Sequence, residues 1–390
     1  MIKRQYWIDR VLKGLEQRSV LWLSGVRRAG KTMLCQSIAG IEYFDCELPR
    51  VRRMLEDPEA FLRDMKGKTV AIDEIHRLTS PAQLLKIAAD HYPGTKIIAT
   101  GSSTLGASVK FKDTLAGRKR ELWLTPMITA DLSDFGKTDL KHRFLFGGLP
   151  PFFLSPKLPE QDFQEWMDAY WAKDIQELFR LERRHSFLKF TELLMTQSGG
   201  MFEATSFSGP CEVSRQTIAN YLAVLEATYL VHVIRPFSSR RQTEIISAPK
   251  VYAFDTGFMC YFREWQQLRR DDLGSLWEHY VLNELLAQTQ QRDILYWRDK
   301  AKHEIDFVLA KAAGEPVTIE CKWSAQDFDP ANLVVFRRQY PKGKNFVVAA
   351  DIDRPYSRHY EKVAVTFVCL KDLINSVRET IGRQPYRPGV

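Results

Sequence analysis

Short apolar runs separated by helix-like stretches dominate the first third of the chain. The segments SVLWLSG, KTVAIDE and TKIIATG each carry an apolar run of strand length that ends in small or polar residues. The run ELWL, residues 121–124, follows a basic turn and predicts a further strand. Such runs, alternating with helical spacing, predict an α/β domain with a doubly wound sheet.

The middle of the chain changes to helical spacing. FLFGGLPPFFL, residues 144–154, interrupts a helical region with Gly-Gly and Pro-Pro, a pattern that predicts a kink or loop. FQEWMDAYWAKDIQELFRL follows, with Phe163, Trp166, Tyr170 and Ile175 largely on one side. We expect a helical segment that packs one face against the rest of the protein.

The last third returns to an α/β pattern. GSLWEHYVLNELLAQT predicts a helix, DILYWRD a strand, and residues 304–323 two strands around a Gly-Glu-Pro turn. NLVVFRRQY and KNFVVAA then predict one more helix and one more strand. The fold class expected from the whole pattern is a multidomain α/β protein.

Composition restricts the class of protein without identifying it. The 390 residues are 45% hydrophobic and 27% charged, which predicts a globular protein of two to four domains. The formal charge of +8 is compatible with a polyanionic partner. The six cysteines form no CxxC pair, and neither a signal peptide nor a membrane-spanning run is visible. We therefore expect a cytoplasmic protein without a zinc site or disulfide framework.

A phosphate-binding loop follows the first predicted strand. The motif GxxxxGK[ST] is matched in full by Gly25, Val26, Arg27, Arg28, Ala29, Gly30, Lys31 and Thr32. Its glycines let backbone N–H groups surround an anion, and the next helix directs its positive end at the same place. Lys31 is predicted to reach the β and γ phosphates of ATP, and Thr32 to ligate Mg²⁺.

A second strand predicts the rest of the nucleotide site. KTVAIDEIHRL ends in Asp73 and Glu74, and ligands in a doubly wound sheet lie at the carboxyl ends of strands. Asp73 is predicted to hold the magnesium through water, and Glu74 to polarise the attacking water. At the end of the next strand, Ser102 or Thr100 could contact the γ-phosphate or simply cap the loop.

A helix-turn-helix pattern lies in the second half of the chain. SRQTIANYLAVLEATYLV begins with a serine N-cap, and Arg215, Gln216 and Asn220 are predicted to point outward from its first turns. The following stretch predicts a two-stranded wing with Arg240 and Arg241 at its tip, a place suited to phosphate contact. Nucleic-acid binding and a scaffold role both remain open, because winged helices serve either purpose.

A second group of charges lies on the C-terminal strands. Asp306 begins one strand, and Glu320 and Lys322 share a face of the next because side chains alternate with period two. The two carboxylates and the backbone carbonyl of Cys321 offer hard oxygen ligands to Mg²⁺ or Mn²⁺. Lys322 could then orient or deprotonate the attacking water, and Glu278 on the preceding helix could complete the shell or place a second ion. The alternative is a purely structural network of ion pairs.

These motifs carry a resemblance over nearly the whole chain. GVRRAGKT, AIDEIHRL, ATGSS and LAGR, in this order, resemble the AAA-type ATPase core, and within it the prokaryotic archaeal-ATPase-like branch. Glu278, Asp306 and the Glu320-Cys321-Lys322 triplet resemble the PD-(D/E)xK nuclease core. The resemblance implies an ATPase core at 1–127, a helical lid at 128–186, a winged helix-turn-helix at 187–250 and a nuclease-like domain at 251–390.

The same resemblance implies roles for residues outside the main motifs. It makes Arg118 an arginine finger that acts on the nucleotide of a neighbouring subunit, with Arg120 as the competing candidate. The related ATPases often have Arg-Asp where this chain has Lys173-Asp174. Because lysine lacks the planar fork of arginine, we expect an ordinary packed helix there.

The expected function combines the two sites. ATP binding and hydrolysis would be coupled to metal-dependent cleavage or binding of nucleic acid, with DNA favoured, in a nucleotide-dependent homo-oligomer for which a ring is one arrangement. The alternative is a signalling ATPase whose C-terminal domain binds nucleic acid or a protein without cutting. A plain transcription regulator is the weakest of the three hypotheses, since it depends on the winged helix alone.

Overall fold

The chain folds into two units, each built from two separate ranges of residues. The first unit comprises Met1–Phe187 and Ala219–Leu230. The second comprises Leu188–Ile218 and Val231–Val390. The computed structural model describes residues 2–101, 113–176, 179, 183–238, 248–290, 293–309 and 315–381. The four segments expected from the sequence do not coincide with these two units, since 187–250 contributes to both of them, and they stay a prediction.

The first unit contains a five-stranded parallel sheet. Its strands are β1 Val20–Ser24, β2 Ile41–Asp45, β3 Thr69–Asp73, β4 Lys96–Thr100 and β5 Lys119–Trp123. They are ordered β2-β3-β4-β1-β5. All five residues of β1 are buried, as expected for a central parallel strand covered on both faces. The predicted α/β architecture with a parallel sheet is thereby confirmed.

Helices surround this sheet and continue beyond it. They are α1 Gln5–Gln17, α2 Lys31–Gln36, α3 Pro49–Met54, α4 Pro58–Asp64, α5 Pro81–His91, α6 Thr129–Asp134, α7 Leu140–Phe146, α8 Pro150–Phe153 and α9 Glu160–Ala169. The predicted break at Gly-Gly-Leu-Pro separates α7 from α8, and Gly147 there has φ 82°. The amphipathic helix α9 widens into a π-helical segment, Tyr170–Gln176, which the sequence did not indicate.

The second unit is built on an eight-stranded mixed sheet. Its strands are β6 Val231–Pro236, β7 Lys250–Ala253, β8 Ile294–Arg298, β9 Glu304–Leu309, β10 Val317–Lys322, β11 Asn345–Ala349, β12 Tyr356–Tyr360 and β13 Val363–Val368. Their order is β12-β13-β11-β10-β9-β8-β6-β7. The strands expected at 304–323 are β9 and β10, which pair antiparallel, and β11 pairs with β10 in parallel.

The remaining helices are α10 Arg184–Thr196, α11 Ala204–Ser208, α12 Arg215–Ala227, α13 Thr256–Phe262, α14 Arg270–Thr289, α15 Ala331–Gln339 and α16 Leu370–Ile381. The helix expected to carry Glu278 is α14, and its apolar residues are buried along most of its length. Among the described helices, none combines the length and the apolar character needed to cross a membrane.

The predicted wing differs from expectation in its surroundings. β6 and β7 do form an antiparallel pair. However, β6 also pairs in parallel with β8, so both strands extend the eight-stranded sheet. The hydrophobic pattern could not reveal this pairing, because it joins segments about sixty residues apart in the chain. The winged-helix assignment itself stays a prediction.

Candidate functional site

Two glycines shape the loop between β1 and α2. Gly25 has φ 143°, and a Cβ at this position would collide with the carbonyl oxygen of Leu124. Gly30 has φ 98° at the N-cap of α2, a conformation that side chains rarely adopt. Lys31 Nζ donates to the carbonyl oxygens of Gly25 at 2.8 Å and Val26 at 3.1 Å. The ammonium group therefore lies over the loop that the sequence predicts to bind phosphate.

The other loop residues have distinct environments. Val26 and Ala29 are buried. Arg28 has φ 61°, and its guanidinium lies 6.0 Å from the ring centroid of Phe152. Arg27 Nε donates to Asp174 Oδ2 at 3.0 Å, a contact that the sequence did not predict. The loop thus presents cationic side chains on a backbone fixed by its buried members.

Asp73 lies at the end of β3, as predicted, and collects three hydroxyl donors. Its Oδ2 accepts from Thr32 Oγ1 and Tyr43 Oη, both at 2.6 Å, and its Oδ1 accepts from Thr100 Oγ1. Burial, together with the hydrogen bond to Asp73, raises the pKa of Tyr43. The carboxylate and the Thr32 hydroxyl form an oxygen donor set that fits Mg²⁺. The hydrogen bond from Thr100 therefore links the end of β4 to the end of β3.

Glu74 follows Asp73 in the left-handed region, with φ 51°. Its Oε2 lies 3.1 Å from His76 Nδ1, and its backbone N–H donates to Thr100 Oγ1 at 3.2 Å. The hydrogen bond from His76 lowers the pKa of Glu74 despite its partial burial. Glu74 is therefore ionised at neutral pH, which is the form that can accept a proton from water.

A cavity of about 500 Å³ opens beside the loop. Loop residues and Glu74 form one part of its lining. Apolar side chains form another part, namely Ile2, Met33, Phe135, Pro150, Pro151, Leu154 and Trp166. Such a combination of a cationic loop and an apolar recess fits a ligand with a phosphate end and a flat apolar end.

A buried ion pair fixes one side of this cavity. Arg4 donates through Nε and Nη2 to both carboxylate oxygens of Asp131, at 2.8 Å and 2.7 Å. Its third contact, from Nη1 to the carbonyl oxygen of Ala29 at 2.7 Å, reaches the phosphate loop. Trp7 Nε1 also donates to Asp131, at 3.2 Å. Sequence reasoning missed both Arg4 and Asp131, since nothing local marks residues 127 positions apart as partners.

The remaining predicted residues of the nucleotide site lie elsewhere or are not described. Arg118 Nε donates to Asp90 Oδ1 at 2.7 Å, and both side chains are about one third exposed. Arg120 is half-buried on β5. Ser102 lies outside the described residues. The finger role of Arg118 and the γ-phosphate contact of Ser102 therefore stay predictions.

The C-terminal charges predicted from the sequence come together at the ends of β9 and β10. Lys322 Nζ lies 3.0 Å from Glu320 Oε2 and 3.8 Å from Asp306 Oδ2. The backbone N–H of Cys321 donates to Asp306 Oδ2 at 2.7 Å. A cavity of about 550 Å³ is lined by Glu278, Asp306, Cys321 and Lys322 among others. The common face that period two predicts for Glu320 and Lys322 is present, since their side chains contact each other.

Burial and mutual repulsion shape the ionisation of these carboxyl groups. Burial and then the charge of Asp306 raise the pKa of Glu278 to about 7 and that of Glu320 to about 8. Burial alone would lower the pKa of Lys322, but Asp306 and Glu320 raise it above its usual value. Glu320 Oε1 is buried and has no hydrogen-bond partner among the residues that the structure describes.

Residues not predicted from the sequence extend this group of charges. Lys250 on β7 pairs with Glu304, and its Nζ lies 3.8 Å from Glu278 Oε1. Tyr252 Oη donates to the same Glu278 oxygen at 2.6 Å. Arg298 Nη1 donates to Glu304 Oε2 at 3.1 Å. In the sequence, these two residues were marked only by their place in a short apolar strand, where Lys250 and Tyr252 occupy alternate positions.

The ammonium group of Lys322 lies beside the carboxylates that the sequence predicts to bind a metal ion. Within the described part of the chain, no group of three or more His, Cys, Asp or Glu residues is arranged to hold a metal ion. The ammonium of Lys322 instead contacts both Asp306 and Glu320. The ligand set of Asp306, Glu320 and the Cys321 carbonyl therefore stays a prediction.

The predicted nucleic-acid contacts are described only in part. Arg215, Gln216 and Asn220 on α12 are exposed, as the helical pattern predicts. Arg240 and Arg241 lie outside the described residues. Contact of these residues with nucleic acid therefore stays a prediction.

Comparison with known families divides the chain into three parts. Residues 17–132 match the family described as AAA domain. Residues 137–269 match a domain of unknown function, DUF8612, and residues 273–370 match another, DUF4143. The AAA match contains the phosphate loop and the carboxylates that end β3.

Similar proteins occur in bacteria and archaea. An uncharacterized protein of Mycobacterium tuberculosis is 25% identical over 334 residues, which are 83% of this chain and 74% of the relative. An uncharacterized protein of Methanocaldococcus jannaschii is 21% identical over 320 residues, 73% of this chain and 70% of the relative. Among solved structures, a Walker-type ATPase of Pyrococcus abyssi covers 67% of this chain and 96% of its own, at 15% identity and TM-score 0.45. By its family match and its loop geometry, residues 17–132 are an AAA-type P-loop ATPase domain.

Proposed function

We propose that the protein couples the nucleotide state of its ATPase domain to metal-dependent cleavage or binding of nucleic acid, with DNA favoured. The proposal rests on one cavity of the second unit that Glu278, Asp306 and Lys322 line, together with the contact of Glu320 to Lys322. Two or more carboxylates beside a lysine are the groups that metal-assisted phosphodiester cleavage requires.

One oxygen atom of Glu320 supports the binding of a cation. Glu320 Oε2 is engaged by Lys322, whereas Oε1 is buried with no partner among the described residues. A buried carboxylate oxygen without a donor is costly, and Mg²⁺ or Mn²⁺ would relieve that cost. Under this proposal Asp306, Glu320 and the Cys321 carbonyl hold the ion.

Lys322 and Glu278 would then assist the reaction in two different ways. Lys322 would turn from its present carboxylate partners to the attacking water. Glu278 would complete the shell, while Lys250 and Tyr252 keep its carboxylate in place.

At the ATPase domain the proposal assigns a role to each residue of the site. The loop from Gly25 to Thr32 encloses the phosphates, and Lys31 contacts their β and γ oxygens. Thr32 and Asp73 would hold Mg²⁺, which neutralises phosphate charge when bound. Glu74 polarises the attacking water. Arg118 acts from a neighbouring subunit, so that the protein forms a nucleotide-dependent homo-oligomer in the cytoplasm.

A nuclease assay tests the proposal. The protein is incubated with duplex, single-stranded and branched DNA and with RNA, in EDTA, Mg²⁺ or Mn²⁺, with and without ATP. We expect metal-dependent cleavage that Glu320→Gln and Lys322→Met abolish. Glu361→Gln removes an exposed carboxylate whose nearest partner is Arg338 at 3.6 Å, and it should cut like the wild type.

The alternative is an ATP-dependent switch that binds nucleic acid or a protein partner without cutting. The ion pairs of Lys322 with Asp306 and Glu320 favour it, because they satisfy the charges without a metal. Binding of a labelled duplex that changes with ATP, together with no cleavage in either metal, would select this alternative.

A further inference from the structure

The phosphate loop is paired with a carboxylate from outside the ATPase motifs. Arg27 Nε donates to Asp174 Oδ2 at 3.0 Å, and the two side chains are partly buried, with 29% and 16% of their surface exposed. Asp174 belongs to the π-helical segment Tyr170–Gln176 and lines the same cavity as Lys31. The anion nearest to the loop arginine is thus a protein side chain that stands beside the expected phosphate position.

We propose that Asp174 is a built-in counterion of the phosphate site, which releases Arg27 when nucleotide phosphates bind and thereby limits nucleotide affinity. The proposal rests on nucleotide binding by the P-loop, and it adds a residue that sets the strength of that binding. It assigns Asp174 a direct role in the site, in contrast to the ordinary packed helix expected from the sequence.

The charges around the loop support competition between the Asp174 carboxylate and phosphate for the same cationic side chains. Burial lowers the pKa of Lys31, while the carboxylates of Glu74, Asp174 and Asp73 oppose that shift, so Asp174 acts on Lys31 as well as on Arg27. A triphosphate brings several negative charges to the same cations. In a partly buried cavity these charges repel a neighbouring carboxylate far more strongly than they would in water.

The surroundings allow the side chain of Arg27 to change partner while its backbone stays fixed. Trp166 Nε1 donates to the carbonyl oxygen of Arg27 at 3.1 Å. Tyr170 stacks on Trp166 with ring centroids 5.3 Å apart, and its hydroxyl bonds Thr228 Oγ1 at 2.6 Å. The carbonyl is therefore anchored by rigid aromatic groups, whereas the Arg27–Asp174 contact is a single ion pair. π-helical segments of this kind are frequent at functional sites.

Asp174→Asn tests the proposal with an almost isosteric change. Affinity for Mg·ADP and for Mg²⁺ with a non-hydrolysable ATP analogue is measured by calorimetry on the full chain. We expect binding to tighten by about five-fold or more, with a larger gain for the triphosphate. Unchanged or weaker binding would overturn the proposal, since it would mean that Asp174 holds Arg27 in a productive position.

Asp168→Asn is the matched control. Asp168 lies on α9, and its carboxylate pairs with Arg184 at 2.7 Å, with both side chains half-exposed. This variant should bind both nucleotides like the wild type. Asp174→Ser gives a second form of the test if the asparagine variant melts at a lower temperature, and the same tightening is expected.

A double variant distinguishes exchange of Arg27 from general repulsion. In an Arg27→Gln background there is no guanidinium to release, so the gain from Asp174→Asn should shrink. An equal gain in both backgrounds would overturn the exchange. A wild-type protein that binds neither nucleotide would instead contradict ATP binding by the P-loop.

Discussion

Lys322 and Glu320 lie two residues apart on β10 and face each other, with Nζ 3.0 Å from Oε2. Their contact follows from strand geometry, because residues i and i+2 share a face. The same ammonium group lies 3.8 Å from Asp306 on β9. A metal ion bound to these two carboxylates would compete with Lys322 for them. Metal binding would therefore weaken the ion pairs of Lys322, and these ion pairs would lower the affinity for the metal.

Thermal melting of Glu320→Gln measures that competition. We expect near-normal melting in EDTA, because the change removes repulsion with Asp306 while it loses one ion pair. We also expect Mn²⁺ to raise the melting temperature of the wild type and not that of the variant. If the group is purely structural, removing one partner costs about 3–5 kcal/mol and the wild type shows no metal response.

The stability of the second unit should depend on pH through the same carboxyl groups. The pKa of Glu278 is raised to about 7 and that of Glu320 to about 8. The folded state therefore binds more protons than the unfolded state above pH about 4.5. The free energy of unfolding in EDTA should fall as pH rises from 5 to 8.

Urea unfolding at several pH values measures this slope. Lys322 keeps its charge throughout the range, since its pKa is raised. Glu320→Gln should flatten the curve, whereas Glu361→Gln should leave it as steep as in the wild type. A wild-type stability that increases steadily from pH 5 to 8 would contradict the raised pKa values.

Two substitutions separate binding from hydrolysis in the ATPase domain. Lys31→Ala should weaken nucleotide binding, because it removes the ammonium that lies over the phosphate loop. Glu74→Gln should leave affinity nearly unchanged and lower turnover by about 10²–10⁴-fold, the usual contribution of a general base. Calorimetry and phosphate release measure the two effects. Wild-type turnover in Glu74→Gln would refute the role of this carboxylate.

Sequence patterns located the parts of the sites that are local in the chain. The glycines of the loop, the placement of Asp73 and Glu74 at the end of β3, and the common face of Glu320 and Lys322 all follow from motif spacing or strand period. These features need only a few neighbouring residues, and the structure contains each of them.

Contacts between residues that are distant in the chain could not be predicted from these patterns. Lys250 contacts Glu278 from a strand 28 residues earlier. Asp174 reaches Arg27 across 147 residues. Tertiary packing decides these contacts, and no local periodicity encodes it. The parallel pairing of β6 with β8 was not predicted for the same reason, since the two strands are far apart in the chain.

The arginine finger can be tested against a matched partner. If Arg118 acts on a neighbouring subunit, Arg118→Ala should lower ATP turnover with little change in affinity. Asp90→Asn removes the carboxylate that holds Arg118 at 2.7 Å in this structure, and it should retain turnover.

Subunit mixing and oligomeric state complete this test. Arg118→Ala mixed with Glu74→Gln should recover part of the lost turnover, because some mixed interfaces then contain both wild-type groups. A protein that stays monomeric by light scattering with a saturating ATP analogue would exclude any action between subunits.

The Arg4–Asp131 pair should contribute strongly to both stability and nucleotide binding. Arg4 is 5% exposed and Asp131 fully buried, and two hydrogen bonds join them. Asp131→Asn leaves a buried guanidinium without its counterion and should cost about 3–5 kcal/mol of unfolding free energy. Arg4→Met should cost a similar amount, because it leaves the Asp131 carboxylate buried without its cation.

A double-mutant cycle distinguishes the pair from its parts. Arg4→Met with Asp131→Asn should be less destabilised than the sum of the single variants, because neither change then strands a buried charge. Urea unfolding measures the cycle, and exact additivity would show that the two groups do not depend on each other. Nucleotide affinity should nevertheless stay reduced in the double variant, because the bond from Arg4 to the Ala29 carbonyl of the phosphate loop is still missing.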